Sequence, residues 1–228
     1  MHIQENGNEQ VAGLGLERDL LWDALVDCPG VGVAVISASG VFAYANDEFR
    51  LLYFGTTIAH LEKRVLADLF PREWAEERSG FIARARSERS PVVVREIWRG
   101  RQLIATIRPI VDETGAVNTV VVISRPVSRD ERPDLTCPLT ESSYVELGPL
   151  NVLTARELMV LALVGQGLTL KQIAERLGRS FKTIDNHRAS IGKKLRQTDR
   201  VALSIIAGRA GLVPGDESRT RVRQASSN

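Results

Sequence analysis

The sequence predicts an α+β amino-terminal domain, an antiparallel five-stranded sheet with short helices, followed by an all-α domain of four helices. Three observations lead to this division. Short apolar runs separated by tight turns occupy the first 126 residues, whereas apolar residues recur at helical spacing after residue 150. Between these parts, residues 127–149 contain three prolines among Ser, Asp and Glu, the composition of a linker. The charge also differs between the two parts. Residues 151–228 carry 14 basic and 6 acidic residues, whereas residues 1–150 carry 16 basic and 22 acidic residues.

Each element of the amino-terminal domain has a local cause. Residues 1–13 are polar and are predicted to be disordered, and a leading helix over Leu14–Asp27 ends at Cys28-Pro29-Gly30. Tight turns join the strands of each predicted hairpin, and turns this short require antiparallel pairing. A helical region separates the second strand from the third, and its last helix covers Trp74–Glu88. The five predicted strands are Val31–Ser37, Val41–Ala45, Pro91–Trp98, Gln102–Val111 and Val117–Pro126.

This order of elements resembles the PAS sensory fold over residues 20–126. The resemblance is carried by the paired first strands, by Ala45-Asn46-Asp47-Glu48-Phe49 leading into the helices, by Val65–Pro71 and by the hairpin around Asp112–Gly115. It implies a sensory domain over residues 14–126, including the leading helix. A receiver domain is the alternative, but a receiver needs a parallel sheet and an acidic pair after its first strand. The turns here are too short for crossover helices.

The resemblance also implies where a small molecule would bind. The candidate pocket residues are Tyr44, Trp98 and Ile104, which are expected core positions of the sheet and its covering helices. Trp98 and Arg108 alternate with apolar neighbours on late strands, where PAS domains often contact ligands or partners. A PAS core is either filled or hollow, and the residue pattern is compatible with both. No cofactor is predicted, because neither Cys28 nor Cys137 lies in the Asn-Cys-Arg run of flavin-binding PAS domains and no haem motif surrounds the histidine of the helical region.

The carboxy-terminal domain carries helix signals at fixed spacing. Thr154-Ala-Arg-Glu157 and Thr169-Leu-Lys-Gln172 are capping boxes, in which the two side chains satisfy backbone donors at a helix start. Gly178 suits the left-handed conformation of a sharp turn, and Ser180 caps a third helix over Phe181–Leu195. Two helices joined by a turn of about four residues, the second polar and basic on its free side, make a helix-turn-helix.

Residues 150–213 closely resemble the LuxR-type DNA-binding domain. The matching segments are Leu153–Glu157, Gly167–Leu177, Ser180–Arg188 and Lys194-Leu195. The resemblance implies that the third helix enters the major groove and that a fourth helix, over Thr198–Gly211, pairs two copies. Sigma-factor region four is the nearest alternative, but it lacks this fourth helix and a preceding sensory domain. The residues expected at the dimer contact are Val201, Ala202, Ile205 and Ile206.

The third helix supplies most of the side chains expected to contact DNA. Lysine and arginine neutralise phosphates or reach guanine edges, and short polar groups suit base edges or backbone oxygens. Lys171, on the second helix, is expected to meet the DNA backbone, and Asp185 stands where the family is often basic. The full set of candidate DNA contacts is Lys171, Lys182, Thr183, Asp185, Asn186, Arg188 and Lys193.

The tail over residues 214–228 is predicted to be disordered.

These features predict a cytoplasmic, one-component transcriptional regulator that binds double-stranded DNA as a homodimer, with a PAS-like domain that senses a small molecule or a partner. The sequence shows no apolar run long enough to span a bilayer, no signal peptide and no cysteine spacing for a metal, so neither membrane nor metal is expected. No catalytic motif indicates an enzyme. The alternative is an interaction adaptor whose PAS domain docks onto a kinase or other regulator, with DNA binding secondary.

Overall fold

The structure is a computed structural model that describes residues 18–58, 60–128, 137–197 and 199–223; the predicted disordered start, residues 1–13, lies outside them. None of the helices in these ranges is long and apolar enough to cross a bilayer. The helices are α1 (Arg18–Val26), α2 (Asp47–Phe54), α3 (Leu66–Leu69), α4 (Arg72–Glu88), α5 (Ala155–Gly165), α6 (Leu170–Leu177), α7 (Phe181–Leu195) and α8 (Arg200–Arg209). The strands are β1 (Gly32–Ser37), β2 (Phe42–Ala45), β3 (Val92–Trp98), β4 (Arg101–Ile110), β5 (Thr119–Pro126), β6 (Leu139–Val145) and β7 (Thr220–Arg221).

One mixed sheet of seven strands lies at the centre of the amino-terminal half, in the order β2-β1-β5-β4-β3-β6-β7. The first five strands pair antiparallel, and their bounds differ from the predicted ones by at most two residues. The prediction of a five-stranded antiparallel sheet was wrong, because β6 pairs parallel with β3 and β7 pairs parallel with β6. Both extra strands come from residues that the sequence assigned to the linker and to the disordered tail.

The composition of β6 explains why the sequence did not indicate a strand there. Its residues, Leu-Thr-Glu-Ser-Ser-Tyr-Val, contain no apolar run, and only Ser142 and Val145 are buried. Pairing with β3 satisfies its backbone, in a register that runs from Val93 opposite Leu139 to Ile97 opposite Val145. The strand therefore forms because the folded domain offers the edge of β3, which local sequence does not encode.

Helices α2, α3 and α4 cover one face of the sheet and enclose the sensory core. Val92, Val94 and Trp98 of β3 belong to this core, whereas Val93 and Ile97 pack on the opposite face. This alternation is the period of two expected for a strand. Other buried members of the sensory core include Ile36, Phe42, Phe49, Tyr53, Phe70, Trp74, Ile82, Leu103, Ile107 and Val122.

Asn46 holds the entry to the helical region in place. Its side-chain oxygen accepts from the backbone N–H of Val33, at 2.9 Å, and of Phe49, at 2.8 Å, and so caps α2. Its amide nitrogen donates to the carbonyl oxygens of Val26 and Val31. One buried side chain therefore ties the end of α1 and the start of β1 to α2, which is the physical reason for the asparagine in the Ala-Asn-Asp-Glu-Phe segment.

Helices α5 to α8 enclose a second core, and this core reaches the sheet. Ile184 of α7 and Leu203 of α8 are buried in it together with Ile97 of β3 and Val145 of β6. A 3₁₀ turn over Gly148–Val152 connects β6 to α5. The helical domain therefore rests directly on the face of the sheet opposite the sensory core.

Residues 211–223, which we name the C-terminal strap, run from the end of α8 back to the sheet. Leu212 is buried in the helical core, and Val222 is buried in the sensory core. The guanidinium of Arg95 on β3 donates to both carboxylate oxygens of Asp216, at 3.1 Å each, and to the carbonyl oxygen of Gly211 at 2.6 Å. The strap thus ties the two domains together; the last part of the predicted disordered tail, residues 224–228, lies outside the described residues.

Candidate nucleic-acid interface

Both predicted capping boxes are present at the helix starts of the carboxy-terminal domain. The hydroxyl oxygen of Thr154 accepts from the backbone N–H of Glu157 at 3.2 Å, and the Glu157 carboxylate accepts from the backbone N–H of Thr154 at 2.7 Å. Thr169 and Gln172 repeat the arrangement at 3.3 Å and 2.8 Å. The starts of α5 and α6 are therefore encoded within four residues each.

The turn of the helix-turn-helix also follows the prediction. Gly178 ends α6 in the left-handed region, with φ of 60°, where a residue without Cβ carries no steric penalty. Ser180 then caps α7, its hydroxyl accepting from the backbone N–H of Thr183 at 3.1 Å. These contacts set the angle at which α7 leaves the turn.

Helix α7 has one face in the helical core and one in solvent. Ile184 and Ile191 are buried. Lys182, Asn186 and Lys193, three of the predicted DNA contacts, are exposed. The helix therefore presents polar and basic side chains to solvent while its apolar face fixes its position on α5 and α6.

Asp185 and Arg188 lie one turn apart on α7 and form an ion pair. The guanidinium of Arg188 donates to the Asp185 carboxylate at 3.3 Å, and the two side chains are 35% and 32% exposed. The carboxylate thus orients the arginine rather than standing alone. Lys171 is exposed on α6, and Thr183 is partly exposed on α7, so no member of the predicted contact set is buried.

The structure adds two basic residues that the sequence reasoning passed over. Arg176 is exposed in the last turn of α6, and Arg179 is exposed in the turn that precedes α7. Both lie within two residues of Gly178. Basic residues beside the glycine of the turn were therefore the feature of the sequence that could have indicated them as DNA contacts. They extend the positive surface from α7 to the end of α6.

Glu157 connects α5 to α7. Beyond its capping role, its carboxylate accepts from the hydroxyl of Ser190 at 2.6 Å and from the ammonium of Lys194 at 2.6 Å. Desolvation pushes the pKa of Glu157 upward, but the hydrogen bonds from Lys194, Ser190 and the Thr154 backbone outweigh it and lower that pKa to about 2. Lys194 therefore has a structural partner within the domain, which explains its place in the LuxR-type pattern.

Replacing Glu157 with glutamine is expected to lower the free energy of unfolding by about 2 kcal/mol at pH 7. This value is smaller than the pKa shift alone implies, because solvent screens the ion pair with the partly exposed Lys194. Because the pKa falls on folding, the carboxylate stabilises the protein above pH 4.5 and this contribution is lost as the pH falls towards 2. Urea unfolding at a series of pH values measures the difference. The matched control is Glu175→Gln on the exposed side of α6. A difference between wild type and Glu157→Gln that stays constant from pH 7 to pH 3 would contradict the assignment.

The predicted dimer residues of α8 divide into two pairs. Val201 is 64% exposed and Ile205 is 52% exposed, one turn apart on the same side of the helix. Ala202 and Ile206 are half-buried, and Ile206 packs against the helical core. Val201 and Ile205 are therefore the apolar side chains that remain available to a second copy.

The three predicted pocket residues do not come together. Trp98 is buried in the sensory core, whereas Ile104 faces the opposite side of the sheet, where it packs with Val93. Tyr44 lies on β2, with its ring 5.8 Å from that of Trp22 of α1. A single pocket over these positions is therefore not formed, because Ile104 on β4 pairs opposite Arg95 of β3, which points away from the sensory core.

A different set of polar side chains meets inside the sensory core, and we name it the core polar cluster: Tyr53, Trp74, Arg78, Glu96 and Ser124. The Tyr53 hydroxyl donates to Glu96 at 2.6 Å and lies 2.9 Å from the Ser124 hydroxyl. Trp74 donates to Glu96 at 3.2 Å, and Arg78 donates to the same carboxylate oxygen. The signal in the sequence was Glu96 itself, which with its neighbour Arg95 interrupts the otherwise apolar strand β3. No cluster of His, Cys, Asp and Glu within the described ranges could hold a metal ion.

Two family models match the chain. Residues 29–132 match the model described as PAS fold, and residues 151–207 match the model described as bacterial regulatory proteins, luxR family. The chain therefore combines a PAS domain with a LuxR-type helix-turn-helix domain, which is the architecture of a PAS-domain transcriptional regulator. Both resemblances found in the sequence are confirmed, and this class of protein is not a class of enzyme.

Individual relatives share parts of this architecture. The transcriptional regulatory protein LiaR of Bacillus subtilis (strain 168) is 40% identical over 65 residues, which are 28% of this chain and 31% of LiaR, so the match spans less than a third of that relative. The Vibrio cholera VqmA–ligand–DNA complex aligns with a TM-score of 0.50 and 20% identity, over 86% of this chain and 91% of that one. The phage VqmA–DPO complex covers 90% and 98%, with a TM-score of 0.45 and 24% identity.

Proposed function

We propose that this protein binds promoter DNA as a homodimer and that its PAS domain, over residues 14–126, changes this binding in response to a small molecule. The observation that carries the proposal is the exposed basic and polar face of α7, held at a fixed angle by two capping boxes and the Gly178 turn inside a segment that matches the luxR family. Positive charge on the free side of a helix-turn-helix serves the phosphate backbone and the base edges.

The contacts follow from the placement of the side chains. Lys182 and Lys193 are exposed ammonium groups that neutralise phosphates, and Arg188, oriented by Asp185, reaches a guanine edge or a phosphate. Asn186 suits an adenine edge. The adaptor hypothesis explains neither this face nor the capped turn that aims it, because docking of a PAS domain onto a kinase requires no helix-turn-helix.

The exposed Val201 and Ile205 support a dimer contact through α8. Replacing both Val201 and Ile205 with aspartate is expected to weaken cooperative binding to a duplex with two half-sites at least tenfold, because the substitution buries two charges in place of two apolar side chains. Fluorescence anisotropy with one and two half-sites measures the cooperativity. Val111→Asp, at an exposed valine of the sensory domain, is the matched control. Equal cooperativity in both variants would place the dimer contact elsewhere.

A small-molecule input is supported by the solved relatives. VqmA was solved in a complex with a ligand and DNA, and phage VqmA was solved in a complex with DPO. The present chain contains the corresponding pair of domains and a polar cluster inside its PAS core. The signal is therefore expected to enter through the PAS domain and to reach the helical domain that rests on its sheet.

The function is tested by selecting duplexes from a random DNA library with the full-length protein. The expected result is an inverted repeat whose half-sites lie about one helical turn, 10 base pairs, apart. Affinity for the selected duplex should fall steeply with salt, because each neutralised phosphate releases counterions. Failure to enrich any sequence, or an affinity that does not change with salt, would overturn the proposal.

A further inference from the structure

Phe181 is a large apolar side chain at the start of the solvent-facing helix α7. It is the first residue of that helix, and it is 56% exposed. Phenylalanine is among the residues that globular proteins most often bury, because contact between its ring and water is unfavourable. Val201 and Ile205, which are also exposed, belong to the proposed dimer contact on α8. Phe181 lies on a different helix, and the described part of the chain leaves more than half of its surface in solvent.

The turn of the helix-turn-helix sets the position of the Phe181 ring. Ser180 caps α7 directly before it, and the Ser180 hydroxyl accepts from the backbone N–H of Thr183 at 3.1 Å. Because the Cα–Cβ bonds of a helix tilt toward its amino terminus, the ring stands at the amino-terminal end of α7. In a helix-turn-helix, this end of the second helix meets the base edges in the major groove.

Charged side chains surround Phe181. Arg179, in the turn, and Lys182, on α7, are both exposed beside it. Asp185 and Arg188, four and seven residues further along α7, share its side of the helix and form an ion pair. These four side chains carry three positive charges and one negative charge, so they attract an anionic partner. The partner that covers Phe181 must therefore be anionic and must also offer an apolar group to the ring.

Duplex DNA meets both conditions. Its phosphates are anionic, and thymine alone among the four bases presents a methyl group in the major groove, where phenylalanine side chains make apolar contacts with it. A second copy of the chain meets them less well. A symmetric contact through Phe181 would bring Arg179 and Lys182 of both copies together, and these like charges repel each other.

We infer that Phe181 is a specificity-determining residue whose ring packs against the C5-methyl group of one thymine in each half-site. The inference rests on the proposed function, and it adds an apolar base contact to the polar and basic contacts predicted for α7. Because the ring recognises the methyl group, the protein should distinguish thymine from uracil at this position. Uracil pairs with adenine in the same way but lacks the methyl group.

The test replaces the thymines of the selected duplex by uracil, one position at a time and in both half-sites. Fluorescence anisotropy then measures the affinity of the full-length protein for each duplex. At one thymine position, the affinity of the wild-type protein is expected to fall about fourfold for each half-site, which is the scale of one buried methyl or methylene group. Uracil at thymines outside the half-sites should leave the affinity unchanged.

Phe181→Ala should bind the thymine and uracil duplexes equally well, because the ring that contacts the methyl group is removed. Val152→Ala is the matched control. Val152 is also 56% exposed, but it lies in the 3₁₀ turn before α5, so this variant should distinguish the two duplexes as the wild-type protein does. Circular dichroism checks the fold of each variant. If Phe181→Ala does not fold, Phe181→Gln, which has a polar side chain, takes its place and should lose the distinction as well.

The inference fails if the affinity of the wild-type protein does not change with uracil at any thymine of the half-sites. It also fails if Phe181→Ala still prefers thymine over uracil as strongly as the wild-type protein, because another side chain then contacts the methyl group. The selection of duplexes by the wild-type protein separates the two proposals. A selected duplex that is bound equally well with uracil overturns the role of Phe181 alone, whereas failure to select any duplex overturns the proposed function itself.

Discussion

Replacing Arg95 with methionine is expected to lower the free energy of unfolding by about 3 kcal/mol, because removing one partner of a buried ion pair leaves the other charge uncompensated. Arg95 pairs with Asp216, which is 3% exposed and, among the described residues, would keep the guanidinium of Arg219 as its remaining cation. The substitution also removes the donor to the carbonyl oxygen of Gly211. Urea unfolding of the full-length protein measures the change.

The position of Arg95 predicts where the damage appears. Because it links β3 to the C-terminal strap, amide exchange should rise first in residues 211–223 and only afterwards in the strands. Adding Asp216→Asn to Arg95→Met should cost less than the sum of the two single substitutions. Arg108→Met, at an exposed arginine on the next strand, is the matched control. A loss equal to that of the control would show that the strap is not held by Arg95.

Replacing both Lys182 and Arg188 with alanine is expected to weaken binding to the selected duplex about 100-fold, because a dimer loses four cationic groups from the solvent-facing polar side of α7. Each lost phosphate contact should also reduce the dependence of log affinity on log salt by about one. Binding at several salt concentrations, with the fold checked by circular dichroism, measures both effects.

Arg64→Ala combined with Arg108→Ala is the matched control for that variant. It removes the same charge from exposed positions of the sensory domain and should leave the salt dependence nearly unchanged. If both double variants lose affinity equally, the effect reflects net charge and not contact through α7. If the Lys182 and Arg188 variant retains the wild-type salt dependence, these side chains do not meet phosphates.

The carboxy-terminal domain could be predicted closely from the sequence because its determinants are local. The partners in each capping box stand three residues apart, and Gly178 needs only its own backbone conformation to end α6. The apolar spacing that buries Ile184 and Ile191 leaves Lys182 and Asn186 exposed on the same helix. The face of α7 that carries the proposed function follows from this pattern alone.

The arrangement of side chains inside the sensory domain required the tertiary structure. Trp98 and Ile104 were predicted to line one pocket because both are expected core positions, but strand register puts them on opposite faces of the sheet. The core polar cluster joins α2, α4, β3 and β5, and its residues Tyr53 and Ser124 stand 71 positions apart. No short segment of the sequence includes both residues of such a contact, so local patterns do not predict it.

The sequence by itself determined the two domains, the first five strands and the helix-turn-helix, since period, caps and turns are read within a few residues. Only the tertiary structure decided that β6 and β7 extend the sheet, that Arg95 joins β3 to Asp216 across the domain boundary and that the core polar cluster forms inside the sensory core. The physical reason is that an edge strand, a buried ion pair and a buried hydrogen-bond cluster each depend on the distant residues that folding brings beside them.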